Sequence, residues 1–345
     1  MATAVDRFLA GGVIPAHPLA LDEDRKLDER RQRALSRYYV EAGATGLAVA
    51  VHTTQFAVHE PVRGLLAPVL ELAAETAAEY PEQAPVLITG IVGPTEQAVA
   101  EAELAVSLGY DLALLTPYGT GAASEDELLD RARAVGEVIP VIGFYLQPAV
   151  GGRPLGRDFW RRLAEQPTVA GVKVAPFDRY ATLEVVHGLA ASGRAGDIAV
   201  YTGNDDHIVM DLLTGYDVGG QRIEVVGGLL GQWAVWVRGA VATLAAAGRA
   251  KAGDEAALRE LLALNPVLTD ANAAIFDAAH GFHGCVPGIH EVLRRQGLLT
   301  GLWCLDETEV LSPGQLDEID RIWAAYPHLR DDTFITERLD RWLGA

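Results

Sequence analysis

Lysine is nearly absent from this chain. Of 28 basic residues only three are lysines (Lys26, Lys173 and Lys251), and the other twenty-five are arginines. Cysteine occurs twice, at Cys285 and Cys304, too few for a disulfide framework and suited to a reducing compartment. No apolar run reaches the ~18 residues that a membrane-spanning helix needs. The stretch from Met1 to Phe8 lacks the basic segment and apolar core of a signal peptide. A net charge of −19 argues against nucleic acid and anionic membrane surfaces as partners, because both need clustered Lys and Arg. The expectation is a soluble, cytoplasmic protein.

What is present is apolar, β-branched and regularly spaced. Half of the 345 residues are apolar and 22% are charged, enough for a large buried core, as two domains or one large barrel. Strands are predicted at Gly12–Ala16, Gly46–Val51, Val86–Ile91, Asp111–Thr116, Val141–Tyr145, Gly171–Ala175, Ile198–Thr202 and Ile223–Gly227. Amphipathic helical stretches lie between them. This β/α rhythm predicts an α/β fold, a (β/α)8 TIM barrel over residues 1–250. A doubly wound sheet would carry a Gly-rich phosphate turn after its first strand, and Gly12-Val13-Ile14-Pro15 is not one. Residues 251–345 contain no strand pattern and read as a helical appendage packed on the barrel, with Trp303, Trp323 and Trp342 as packing aromatics. Ser124 and Glu127 predict a capping box, Ser312 with Pro313 predicts a second helix start, and Asp205 or Asp206 is expected to cap the seventh helix.

Against that scarcity of lysine, Lys173 stands out within the apolar run Val169–Ala175. An amine can lose its proton and attack a carbonyl, whereas a guanidinium stays charged. Burial favours the neutral, nucleophilic form. In a barrel the chemistry gathers at the C-terminal strand ends. Those ends carry His52-Thr53-Thr54-Gln55, Thr116-Pro117-Tyr118, Tyr145-Leu146-Gln147-Pro148, Thr202–Asp206 and Gly227-Gly228. An amine, phenols and carboxylate-binding hydroxyls together make the equipment for a Schiff base with a 2-oxo acid.

With these motifs the chain resembles the dihydrodipicolinate synthase / N-acetylneuraminate lyase superfamily of class I pyruvate aldolases and dehydratases. The resemblance rests on Gly-x-Ile-Pro in the first strand, Thr53-Thr54, Thr116-Pro117-Tyr118, Tyr145-x-x-Pro148 and Gly171-Val172-Lys173. It implies a Schiff base on Lys173, proton transfer by Tyr145 assisted by Thr53, and a 2-oxo acid carboxylate held by Thr53 and Thr54. It also implies a homo-oligomer, a dimer or tetramer, with no cofactor and no metal.

The chain departs from the family pattern where substrates are told apart. Gln55 and Phe56 replace the usual Gly-Glu after the Thr pair, His52 replaces a small residue, and the first strand ends in Ala16-His17-Pro18. Gly119 stands where dihydrodipicolinate synthases carry a second Tyr, and Arg153 comes later than their substrate-binding Arg. The resemblance therefore implies aldol or dehydration chemistry on another 2-oxo acid, with His52, Gln55, Tyr118, Gln147 and Gly227 as further substrate contacts. Two rival readings are a divalent-metal aldolase and a non-catalytic sugar-acid binder. Metal-like spacing occurs in Asn204–His207 and in His280-x-x-His283-x-Cys285, although a helix cap and a Gly-rich loop account for them more simply.

Overall fold

In the computed structural model, which describes residues 2–344, eight parallel strands form a nearly closed (β/α)8 barrel with helices between them and further helices at the C-terminal end. The staves are β1 (Val13–Pro15), β2 (Gly46–Val49), β3 (Val86–Ile91), β4 (Leu112–Leu115), β5 (Val141–Tyr145), β6 (Val169–Val174), β7 (Ala199–Thr202) and β9 (Gln221–Leu230). Between the last two lies β8 (Gly215–Val218), which pairs antiparallel with the start of β9. Every residue of β3, β5 and β6 is buried. That two-sided burial is why these strands read as unbroken apolar runs. No helix among the described residues is long and apolar enough to cross a membrane.

By packing, the chain divides into two compact units. The first joins the N-terminal residues through Gly12 to Val86–Leu229. Its register pairs Phe144 of β5 with Lys173 of β6, and Lys173 with Tyr201 of β7. A short helix, Ala4–Leu9, packs into this unit. Phe8 stacks on Tyr201 with ring centroids 4.6 Å apart, and the Tyr201 hydroxyl donates to the Phe8 carbonyl at 2.7 Å. Gly171 has to be small, because a Cβ there would lie 2.6 Å from the Phe8 ring.

The second unit holds β1, β2 and the C-terminal helices. A parallel bridge pairs Ala16 with Ala48, and the His17 amide donates to the Ala48 carbonyl at 2.8 Å. The C-terminal segment is tied to the helix Glu29–Ala42 by buried and half-buried polar bonds. Tyr38 donates to Asp331 at 2.7 Å, and Arg31 and Arg37 reach the carbonyls of Gly297 and Trp342, each at 2.6 Å. Trp342 is fully buried, whereas Trp323 lies under the guanidinium groups of Arg295 and Arg330.

Several local expectations need correction. The helix Ala4–Leu9 and strand β8 are additional elements, too short to show a period. The Ser124–Glu127 capping box forms, with Ser124 Oγ accepting from the Glu127 amide at 3.2 Å. Ser312 does not cap its helix, which starts at Gln315 after Gly314 in a left-handed turn. Instead Ser312 donates to buried Asp277, and its amide donates to Gln315. Neither Asp205 nor Asp206 caps the seventh helix: it starts at Ile208, and its N-cap position is His207, without a side-chain bond.

Gly227 of β9 faces the backbone of Gly12, which would collide with any Cβ. Packing alone accounts for this glycine. Gly227→Ala is expected to lower stability by about 1–3 kcal/mol or more, since backbone cannot yield as a side chain can; chemical denaturation measures it.

Candidate active site

Strand alternation places Lys173 on the same face of β6 as Gly171, which meets Phe8, so the side chain points into the barrel. It is 7% exposed. Its Nζ lies 4.4 Å from the centre of the Phe144 ring. Burial pulls the ammonium down from 10.5 to about 8, and the negative charge of Asp205 opposes part of that shift. Gly203 completes the fit. A Cβ there would stand 2.6 Å from Lys173 Cε, so the absence of a side chain at 203 is what lets the amine lie where it does.

A polar network fixes the turn that carries Asp205. Buried Asp211 accepts from Thr202 Oγ1 at 2.6 Å and from Asn204 Nδ2 at 2.9 Å. Asn204 Oδ1 accepts from the Phe177 amide at 3.1 Å, which ties the loop after β6 to the loop after β7. Arg179 approaches Asp211 at 3.7 Å. Burial raises the Asp211 carboxyl, and these donors hold it down in part.

Tyr145 is the last residue of β5 and pairs with Val174 rather than Lys173, which puts it on the alternate face of the strand. Its ring centroid is 5.2 Å from that of Trp160, and its hydroxyl accepts from the Leu155 amide at 3.4 Å. So long a bond is weak and easily exchanged. The ring against the amine is Phe144, which sequence reasoning passed over. Tyr201 is a direct neighbour of Lys173 in the register, but its hydroxyl is spent on the Phe8 carbonyl and burial raises its pKa far above the usual phenol value. Tyr118 is 40% exposed, with its ring against Gly151. Gln147 Oε1 accepts from the Ala149 amide at 2.7 Å and so caps its own turn. Arg153 donates to the Ala123 carbonyl.

In the second unit, the Thr pair forms a turn of 3-10 helix after β2. Thr54 Oγ1 donates to the His17 carbonyl at 2.5 Å and accepts from the Val51 amide at 3.2 Å, while its own amide donates to Val51 O at 2.9 Å. Both polar hydrogens of Thr54 are thus committed. Thr53 Oγ1 makes only a 3.4 Å contact with the His17 carbonyl and is the freer hydroxyl. The His17 imidazole is buried, and desolvation lowers it to about 4, so it is neutral at pH 7. His52 is half-buried, its ring 5.7 Å from Phe56. Gln55 is 5% exposed and sits at φ +69°, a backbone setting that glycine favours. Its Oε1 accepts from the Leu305 amide at 2.6 Å, while Nε2 is buried without a partner.

Neither metal reading finds a site. Among the described residues, no three His, Cys, Asp or Glu side chains gather as ligands. His280 instead bonds Asp277 at 2.6 Å.

A parallel (β/α)8 barrel holding a buried, partly neutralised lysine within its staves is the framework of the Schiff-base aldolases. The sequence profile of the dihydrodipicolinate synthetase family matches residues 9–232, and the chain belongs to that family. Its members are lyases, and so is this enzyme. An N-acetylneuraminate lyase from Citrobacter koseri is 28% identical over 223 residues, 63% of this chain and 70% of that protein. Among solved structures, an N-acetylneuraminate lyase from Fusobacterium nucleatum superposes with a TM-score of 0.73 at 18% identity, covering 94% of this chain and 100% of the other. A dihydrodipicolinate synthase from Bacteroides thetaiotaomicron gives 0.72 at 17% identity over 92% and 98%. These structural likenesses speak for the fold.

The depressed pKa has a consequence for stability. Below pH 8 the folded state must hold a charged, desolvated amine that the unfolded chain solvates freely; as pH rises from about 8 through 10.5 that penalty disappears. Lys173→Met is therefore expected to be more stable than the parent at pH 7 by up to about 3 kcal/mol, with the gap closing above pH 10. Denaturant titrations of both proteins across that range check the sign.

Proposed function

We propose that this protein is a class I lyase that acts on a 2-oxo acid through an imine on Lys173. The observation that carries the reading is the amine itself, buried, aimed into the barrel and lowered to about 8. At pH 7 roughly one molecule in ten then holds it as free base, against roughly one in three thousand for an unperturbed lysine. Attack of Nζ on the C2 carbonyl and loss of water give the protonated imine, an electron sink next to C3. Asp205 offers that cation a nearby negative charge.

In aldol cleavage the C3–C4 bond breaks, its electron pair enters the imine to form an enamine, and the C4 hydroxyl gives up its proton as C4 leaves as a carbonyl. Protonation at C3 and hydrolysis then release pyruvate. In dehydration of a 2-keto-3-deoxy sugar acid, C3 loses a proton and the C4–O bond breaks instead. Tyr145 is the proton carrier proposed from the family resemblance; its ring lies against Trp160 on the face of β5 opposite the amine, so the role requires the side chain to turn from Leu155 toward the substrate oxygen. Thr53 is the proposed helper and carboxylate contact; Thr54 supports the turn, its own hydrogens being engaged. His52, Gln55, Tyr118 and Gln147 are the proposed determinants of substrate choice. A homo-oligomer, dimer or tetramer, belongs to the same reading.

Borohydride added with pyruvate or a 2-keto-3-deoxy sugar acid is expected to fix a covalent adduct on Lys173, located by peptide mass mapping. An unchanged intact mass with every keto acid tried would overturn the imine. Tyr145→Phe should still trap the adduct while turnover drops by about 10²–10⁴. A loss under tenfold would assign proton transfer to another group.

A further inference from the structure

The side chain of Lys173 is confined between two neighbouring strands. On the β7 side, a Cβ on Gly203 would stand 2.6 Å from Lys173 Cε and 3.3 Å from its Cγ, so the alkyl stem packs against bare backbone. On the β5 side its register partner is Phe144, a buried residue whose ring centre lies 4.4 Å from Nζ. The amine therefore ends against a π face. Such a face carries partial negative charge and attracts a cation, most strongly where water is excluded.

The other groups around the nitrogen act differently. Asp205, in the turn after β7, supplies a negative charge. Tyr201, the register partner on β7, stacks on Phe8 and spends its hydroxyl on the Phe8 carbonyl. Tyr145 lies on the opposite face of β5. Among these groups Phe144 has neither a formal charge nor a proton to exchange.

Burial has two opposed consequences for a Schiff base. It frees the amine for attack, because desolvation disfavours the ammonium. The same desolvation works against the protonated imine, and imines are weaker bases than the amines they come from. An imine that loses its proton is no longer the electron sink that cleavage or dehydration needs. A second carboxylate at Nζ would keep the charge but return the amine toward full protonation. An aromatic face supports the cation by less and cannot take its proton.

We propose that Phe144 is a further residue of the reaction, whose ring holds positive charge at Nζ, first on the ammonium and then on the iminium, and so keeps the electron sink protonated inside a desolvated barrel. Its role in the second state rests on the imine proposed above; its contact with the ammonium does not.

Replacing Phe144 by mono-, di- and trifluorinated phenylalanine in the full chain tests this, because fluorine drains charge from the ring face with little change of size. Competitive labelling by acetic anhydride across pH, read on the Lys173 peptide by mass spectrometry, gives the midpoint at which the amine takes up its proton. That midpoint is expected to fall with each added fluorine, by about 0.5–1.5 pH units over the series. Asp205 and Tyr201 are the same in every member. A role in packing alone leaves the midpoint level, since the fluorinated rings fill the same space. A level or rising midpoint therefore overturns the proposal.

The iminium is read separately with pyruvate. At saturating pyruvate, deuterium exchange into its methyl group passes through the protonated imine, and the alkaline limb of that exchange should move to lower pH along the same series. An alkaline limb that stays in place overturns the role on the imine. The anhydride label needs no keto acid, so failure of the ring contact and failure of the imine, read by borohydride trapping, are seen in different experiments.

Discussion

An amine taken out of water organises the first unit of this protein. Desolvation drives Lys173 toward its neutral form, and Asp205 pulls back part of the way. The balance needs the nitrogen to stay buried and the carboxylate to stay near. Gly203 supplies the room, and the Asp211–Asn204–Thr202 bonds fix the turn that carries Asp205. Below them, Phe8 fills the space that Gly171 leaves. Small residues, a floor and a braced turn all serve one side chain, which is why the barrel can hold a lysine that is roughly one-tenth neutral at pH 7.

Much of this was legible in the residue order, for physical reasons that differ from element to element. Strands buried on both faces announce themselves as apolar runs, and β3 and β5 begin and end where that pattern predicts. Lys173 was visible because lysine is otherwise scarce and because charge inside such a run demands a reason. The Ser124 box was local chemistry, complete within four residues. What stayed hidden depends on contacts distant in sequence. Phe144 rather than Tyr145 meets the amine because of strand register, which no local pattern encodes. Ser312 looked like a cap, but Asp277, far upstream, claims its hydroxyl. Gly227 looked like a ligand approach, and the backbone of Gly12 explains it instead.

The departures from the family pattern after β1 and β2 lie in the second unit, where Gln55 joins them to the C-terminal segment, while Gly119 and Arg153 lie in the first. The residue keeps a backbone angle suited to glycine yet carries a long amide. One end of that amide clasps Leu305, while Arg25 Nε donates to the Cys304 carbonyl at 2.9 Å. The segment around Cys304 is thereby held against the loops that follow β1 and β2. The same neighbourhood contains Glu309, whose half-buried carboxyl is raised to about 7 by desolvation and by Asp306. The loop after β2 and the C-terminal segment are thus linked through a single residue with a positive φ.

The stacking of Phe8 on Tyr201 also bears on how the chain is made. The two residues are separated by 193 positions, so Phe8 leaves the ribosome long before its partner exists. At 5–20 residues per second the wait is roughly 10–40 s. Throughout that interval the segment Ala4–Leu9 carries an aromatic whose native partner has not yet been made.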